Sequence, residues 1–211
     1  RGFASAYMTA GTNRAVVRYA FMNFLCLDMP QVADVTTPDY HIRQDVDRVP
    51  GGDSRTYKTQ CVGCHAGLDA LSGAAAYFNY DGNKIVETSG SVVRKIIDPV
   101  KIKFTAGGWP TRDNSWVNLW SSGQNSRLEW NGAQSGNGLH ALGQMLSETG
   151  EFNRCITKRV FKQVCMRDAI TDSSAANSEA LLIQSLADSF KSSNFNLNML
   201  FANTATHCMG N

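Results

Sequence analysis

No stretch of the 211-residue chain comes near the roughly 18 apolar residues that a membrane-spanning helix needs. The apolar run Phe21 to Leu27 is far too short. Charge is also scarce: 18% of residues are charged, and 20 basic against 18 acidic side chains leave a formal +2. There is no basic stripe and no run of one sign, which removes the electrostatic footprint of a nucleic-acid binder and the signature of a charged tail. The sequence shows no internal repeat and no low-complexity segment. A second C-x-x-C is missing, which tells against a zinc ribbon. No βαβ pattern surrounds the one that exists, which tells against a thioredoxin-like redox pair. Nothing reads as a signal peptide, and Arg1-Gly2-Phe3 does not read as a native start. Arg1 is therefore expected to be a processing or ordering boundary within a longer parent chain.

What remains is an ordinary globular composition, 43% hydrophobic, enough for one large domain or two small ones. Its most informative stretch is Cys61-Val62-Gly63-Cys64-His65. C-x-x-C-H is the attachment sequence of a c-type haem. The thiols form thioethers with the two vinyl groups, the two-residue spacer lets both sulfurs reach one porphyrin edge, and the histidine is the proximal iron ligand. The expected cofactor is one covalently attached haem c with its iron, held by Cys61, Cys64 and His65. Two propionates would bring the net charge near zero.

Six cysteines less these two leave Cys26, Cys155, Cys165 and Cys208. In an oxidising compartment they are expected to form two disulfides; in the alternative they are buried thiols. Cys155 and Cys165 lie ten residues apart on one expected helix, about 15 Å along its axis, too far to bond. If the last three helices run up, down and up, Cys208 comes near Cys165. The expected pairs are Cys165–Cys208 and Cys26–Cys155.

Apolar residues at Val16, Val17, Ala20, Phe21, Phe24 and Leu25 predict an amphipathic helix from Arg14 to Leu27, capped by Thr12 or Asn13 and ended by Pro30. Gln31 to Gly52 reads as a long loop. A short helix capped by Asp53 or Ser54 leads into the cysteine motif, and another spans Ala66 to Phe78. Asp81-Gly82 and Ser89-Gly90 beside Ile85-Val86 and Val92-Val93 suggest a small hairpin. Asp98 to Asn137 is Gly-rich and irregular, with one expected helix from Ser115 to Ser121 capped by Asp113 or Asn114. From Gly138 the pattern is helical: a run with Leu139, Leu142 and Leu146 on one face, a break at Gly150, then helices over 152–166, 178–191 (capped by Asn177) and 194–205. The expected fold is mainly α with long irregular loops and a small β-hairpin. It divides into a cytochrome c-like haem region at 1–137 and a C-terminal helical bundle at 138–211 packed on it.

The second axial position of the iron has many claimants among seven methionines and three further histidines. Met145 is the first choice, because it follows the motif at a distance, on a helix that begins in a Gly-rich loop, and is offset from the leucine face. Met8 and His140 come next. A methionine on an apolar helix face is otherwise core filler. Trp109, Trp116, Trp120 and Trp130 are read as pins between loops and core, with a haem wall as the alternative. Arg55 and Lys58 are read as solvated charge, with propionate partners as the alternative.

Thr12-Asn13-Arg14, the segment Asp45 to Asp53, Cys61 to His65 followed by Gly67-Leu68-Asp69-Ala70-Leu71, and Phe152-Asn153-Arg154-Cys155 together resemble the planctomycete-type c-type cytochrome domains. That family carries C-x-x-C-H-x-x-M-D-P-x-G, and this chain departs from it at Leu68 and Ala70. The resemblance implies an exported single-haem protein; the C-x-x-C-H motif itself implies one that handles electrons outside the cytoplasm, periplasmic or extracellular, and passes them to a redox partner protein. Its alternatives are a haem-stabilised structural subunit or end domain of a larger cell-surface electron-transfer assembly and, behind that, a haem peroxidase. An electron carrier is expected rather than a catalyst, with no nucleic acid and no membrane span involved.

Overall fold

The computed structural model describes residues 5, 8, 12–93 and 107–209. Its first described long helix, α1 (Arg14–Ala20), runs on into a wider π turn (Phe21–Leu25) and stops at Cys26, whose φ of 55° is left-handed. Asn13 sits at the N-cap, also left-handed, and makes no side-chain cap. Pro30 does more than end this rod. It lies in the first turn of a separate short helix, α2 (Met29–Val32), closed by a capping box in which the Asp28 carboxylate accepts from the Met29 amide and the Gln31 side chain accepts from the Asp28 amide.

The two helices expected around the cysteine motif form one rod. It starts at α3 (Ser54–Thr56), where the Asp53 carboxylate accepts from the Arg55 amide at 2.8 Å. It widens into a π turn (Tyr57–Cys61), continues as α4 (Val62–Ser72) and tightens into a 3₁₀ turn (Gly73–Ala75). Phe78 lies beyond it, at the start of a hairpin. Strands β1 (Phe78–Asp81) and β2 (Lys84–Glu87) pair antiparallel around Gly82-Asn83. Both turn residues have positive φ, 53° and 64°, as a two-residue turn matched to strand twist requires.

The helix expected at Ser115–Ser121 is instead a strand. β3 (Ser115–Val117) pairs antiparallel with β4 (Ser135–Asn137), with Trp116 opposite Gly136. The Trp-Val-x-x-Trp spacing also fits a helix, but a partner some twenty residues away supplies the backbone bonds. A 3₁₀ turn (Gly123–Leu128) lies between the two strands.

Four helices complete the chain: α5 (Gly138–Ser147), α6 (Gly150–Cys165), α7 (Ala180–Ser192) and α8 (Leu197–Cys208). The helical run breaks as expected, at Glu148-Thr149, and Gly150 begins α6, where the Thr149 hydroxyl accepts from the Phe152 amide at 3.0 Å. Neither Asn177 nor Asn194 serves as a cap. Glu179 precedes α7 without a side-chain cap, and the Asn196 side chain caps α8 by accepting from the Met199 amide. The disulfides are Cys26–Cys155 and Cys165–Cys208, each with Cα atoms 5.4 Å apart. The mainly α class, the loops and the small hairpin are thus all present, together with a second two-stranded sheet.

The apolar residues bury in three clusters. The largest joins Val17, Phe21 and Leu25 to Leu68, Leu71, Trp120, Leu128, Leu142, Met145 and Leu146. The second, under the long loop, holds Ile42, Val46, Tyr57, Val62 and Ala66. The third binds α6, α7 and α8 through Val160, Leu186, Phe190 and Leu200. Helix α4 lies between the first two and is packed from both sides. Helix α5 gives its buried residues to the largest cluster, and Phe152 touches both the first and the third. Among the described residues no helix is long and apolar enough to cross a membrane.

Candidate haem-attachment site

The cysteine motif occupies the junction between the π turn and α4. From Cys61 to Ser72 every residue is buried except Cys61, Cys64 and His65, which are partly exposed. The burial of the others has named causes. Val62 and Ala66 enter the cluster under the long loop, and Leu68 and Leu71 enter the largest one. The Gly63 carbonyl accepts from the Asp34 amide at 3.0 Å. Gly67 packs against the Trp120 indole, and a Cβ there would come within 2.6 Å of its ring atoms. The helix is therefore held from both sides and offers to its surroundings only the three side chains that a C-x-x-C-H attachment uses.

The two thiols are free while the other four cysteines are bridged. Burial raises the Cys64 thiol above its ordinary value, and the nearby Asp28 and Cys61 add to this. That is opposite to the shift that activates a redox or nucleophilic cysteine. Cys61 also lies within a continuous helical rod rather than at a helix N-terminus. Val35, 57% exposed, packs beside Gly63 and gives the motif an apolar neighbour. The donor set fits a covalently attached haem: two reachable, unbridged thiols at the right spacing, followed by one reachable imidazole.

Beneath His65 lies a charged network that sequence reasoning did not assign a role. The ring Nδ1 is 3.4 Å from Asp69 Oδ1, one turn along α4. Asp69 is 3% exposed. The Arg14 guanidinium donates to both its oxygens, through Nε to Oδ1 and through Nη2 to Oδ2 at 2.8 Å. The same guanidinium donates to Asp45 at 2.8 and 2.9 Å, and the Arg43 amide donates to Asp69 Oδ2 at 3.0 Å. Burial opposes a charge on Asp69, but the bonds from Arg14 and His65 and the charges of Arg14 and Arg43 outweigh it and hold the carboxyl far below its usual range. Arg14, Asp45 and Asp69 come from three of the segments that carry the family resemblance. An aspartate four residues after a histidine on a helix is a readable signal; the partners of that aspartate, 26 to 55 residues away, are not.

The other expected residues lie elsewhere. Met145 is 1% exposed in the largest apolar cluster, with its sulfur 3.9 Å from the Asn118 amide nitrogen. Cys64 packs against the same cluster, while no hydrogen bond joins Met145 to Cys61 or His65 among the described residues. Met8 is buried and lines an apolar groove with Val16, Tyr19, Phe24 and Ile85. His140 is exposed on α5. Trp116 and Trp120 are buried, and Trp120 packs edge-on against Phe21, as the pinning reading expects. Trp109 stacks on His41 at 4.2 Å. Arg55 is 87% exposed in its side chain and pairs with Asp53, its neighbour at the helix start. Among the described residues no group of three or more His, Cys, Asp or Glu side chains is arranged to hold a metal ion.

Comparison with known protein families, with curated proteins and with solved structures gives no match for the chain.

Proposed function

We propose that the chain is an exported single-haem c-type cytochrome of the planctomycete type, carrying haem c on Cys61, Cys64 and His65 and exchanging electrons with a redox partner protein. The observation that carries this reading is the selective exposure of those three side chains on a helix otherwise buried from Cys61 to Ser72. Haem c supplies a one-electron ferric–ferrous couple when bound. The chain supplies two thioether anchors, one axial imidazole and a stiff support. Packing on both sides fixes α4, so a haem held by Cys61, Cys64 and His65 would sit on a rigid support that favours small reorganisation on electron transfer. Two disulfides fit an oxidising compartment, where c-type haem is also attached.

The test is expression with export and haem-attachment machinery, followed by mass measurement and redox titration. The expected result is one covalent haem per chain and a reversible couple. Cys61→Ala with Cys64→Ala abolishes the covalent haem. A wild-type chain that matures without covalent haem ends the proposal. Added carbon monoxide and cyanide separate electron transfer, in which the spectrum ignores both, from peroxidase-type chemistry, in which they bind readily. A Met145→Ala protein whose ferric spectrum is unchanged removes Met145 as the second axial ligand.

A further inference from the structure

We infer that Asp69 is a positioning residue for the axial imidazole: it accepts the Nδ1 proton of His65, directs Nε2 to the iron and lowers the reduction potential of the haem. The inference rests on the haem reading above and concerns how the protein tunes that site.

The argument begins with hydrogen-bond inventory. An ionised carboxylate only accepts, so a bond between it and an imidazole places the ring proton on the facing nitrogen. Here that nitrogen is Nδ1, 3.4 Å from Asp69 Oδ1. The lone pair is then on Nε2, the other ring nitrogen. Ligating histidines commonly make a bond of this kind through their second nitrogen, and it fixes ring orientation and raises ligand basicity. A more basic imidazole donates more to the iron and favours the ferric state, which carries one more positive charge. A fixed negative charge behind the ligand acts in the same direction.

The surroundings keep Asp69 in that role. It is fully enclosed, so its charge is poorly screened by solvent. Arg14 grips both oxygens from α1, and the Arg43 amide donates from the long loop, so the carboxylate is held by two elements besides its own. Asp45 completes the network on the far side of Arg14 without touching His65. It therefore serves as an internal control. Substituting it removes an equal charge from the same network while leaving the imidazole contact in place.

The experiment compares midpoint potentials of the haem-loaded wild type, Asp69→Asn and Asp45→Asn, with covalent haem confirmed by mass in each. The expected result is a rise in potential for Asp69→Asn equivalent to at least about tenfold in the reduction equilibrium, about 59 mV for one electron, and a clearly smaller rise for Asp45→Asn. Equal shifts in both variants, or no shift in Asp69→Asn, overturn the inference. If Asp69→Asn does not mature, the wild type decides by nuclear magnetic resonance of ¹⁵N-labelled histidine. A slowly exchanging, hydrogen-bonded Nδ1 proton on the ligating imidazole supports the role, and an Nδ1 proton exchanging as in free imidazole overturns it. Absence of covalent haem from the wild type is a separate outcome, which removes the cytochrome reading itself.

Discussion

Residue Gly67 shows most directly how the absence of a side chain holds the site in place. It is a helix-interior residue, where glycine ordinarily costs about 1 kcal/mol relative to alanine. Here the missing Cβ is what lets the Trp120 indole lie on α4. Alanine at this position would gain helix propensity and lose packing, and the packing effect wins because the ring is completely buried and has nowhere to move. The expected outcome for Gly67→Ala is a net destabilisation of about 1–3 kcal/mol, read as a lower denaturation midpoint with an unchanged slope. A neutral or raised midpoint would mean that the helix and the indole separate easily, contrary to the close packing described. At this scale the cysteine motif was fully legible in the sequence, since its chemistry is local. The Arg14–Asp69 clamp was not, because it joins residues 55 positions apart, and no local pattern carries that distance.

Among the elements, the C-terminal helices are joined by more than their apolar faces. Glu179, at the start of α7, accepts from Arg167 at 2.7 and 2.8 Å and from the Ile170 amide at 2.9 Å, and lies 3.7 Å from His207 on α8. The Arg167 bonds are the chief cause that takes its carboxyl from an ordinary 4.5 down to about 2, against the opposing effect of burial. A depressed folded value means that the carboxylate stabilises the fold above its unfolded pKa and that this contribution is lost as pH falls from about 4.5 towards about 2. Glu179→Gln should therefore cost about 1 kcal/mol near neutral pH, as a well-formed but half-exposed ion pair does. The difference from wild type should shrink towards pH 2 and vanish below it. Denaturation measured across that range checks it, and a cost independent of pH would contradict it. The helices themselves were readable, since Leu142, Leu146, Val160, Phe161, Leu186 and Phe190 recur at helical spacing and bury as that spacing demands. Ser115–Val117 was misread because its apolar spacing suits two structures and only the distant partner Ser135–Asn137 chooses between them. The Asp28–Gln31 capping box was a signal present in the sequence, hidden behind the more obvious meaning of Pro30 as a stop.

Over the whole molecule, the two disulfides divide the chain unequally. Cys26–Cys155 closes a separation of 129 residues and encloses the entire cysteine-motif rod, whereas Cys165–Cys208 closes 43. A cross-link stabilises mainly by restricting the unfolded chain, and the longer loop gains more. Replacing both cysteines of the first bridge by serine should cost about 1 kcal/mol more than replacing both of the second. The second pair should leave the packing around α4 untouched. Paired denaturation curves of the two double variants check the order, and a larger loss from the Cys165–Cys208 variant would reverse it. The pairing itself could be reasoned out beforehand because helix rise forbids Cys155–Cys165 and antiparallel helices bring Cys165 to Cys208.

The wide turn at Tyr57–Cys61 has a consequence for the lineage of this chain. A π turn holds one residue more than a regular α-turn, and one residue corresponds to about 100° of rotation along a helix. Here it lies between Tyr57, anchored under the long loop, and Leu68 and Leu71, anchored in the main core. The extra residue therefore absorbs a difference in phase between two fixed ends. Relatives should be free to lack one residue between Tyr57 and Cys61, with the alignment resuming in register on either side. Within Val62–Ser72 a gap of one would turn every buried side chain away from its partner, and no viable relative should carry one.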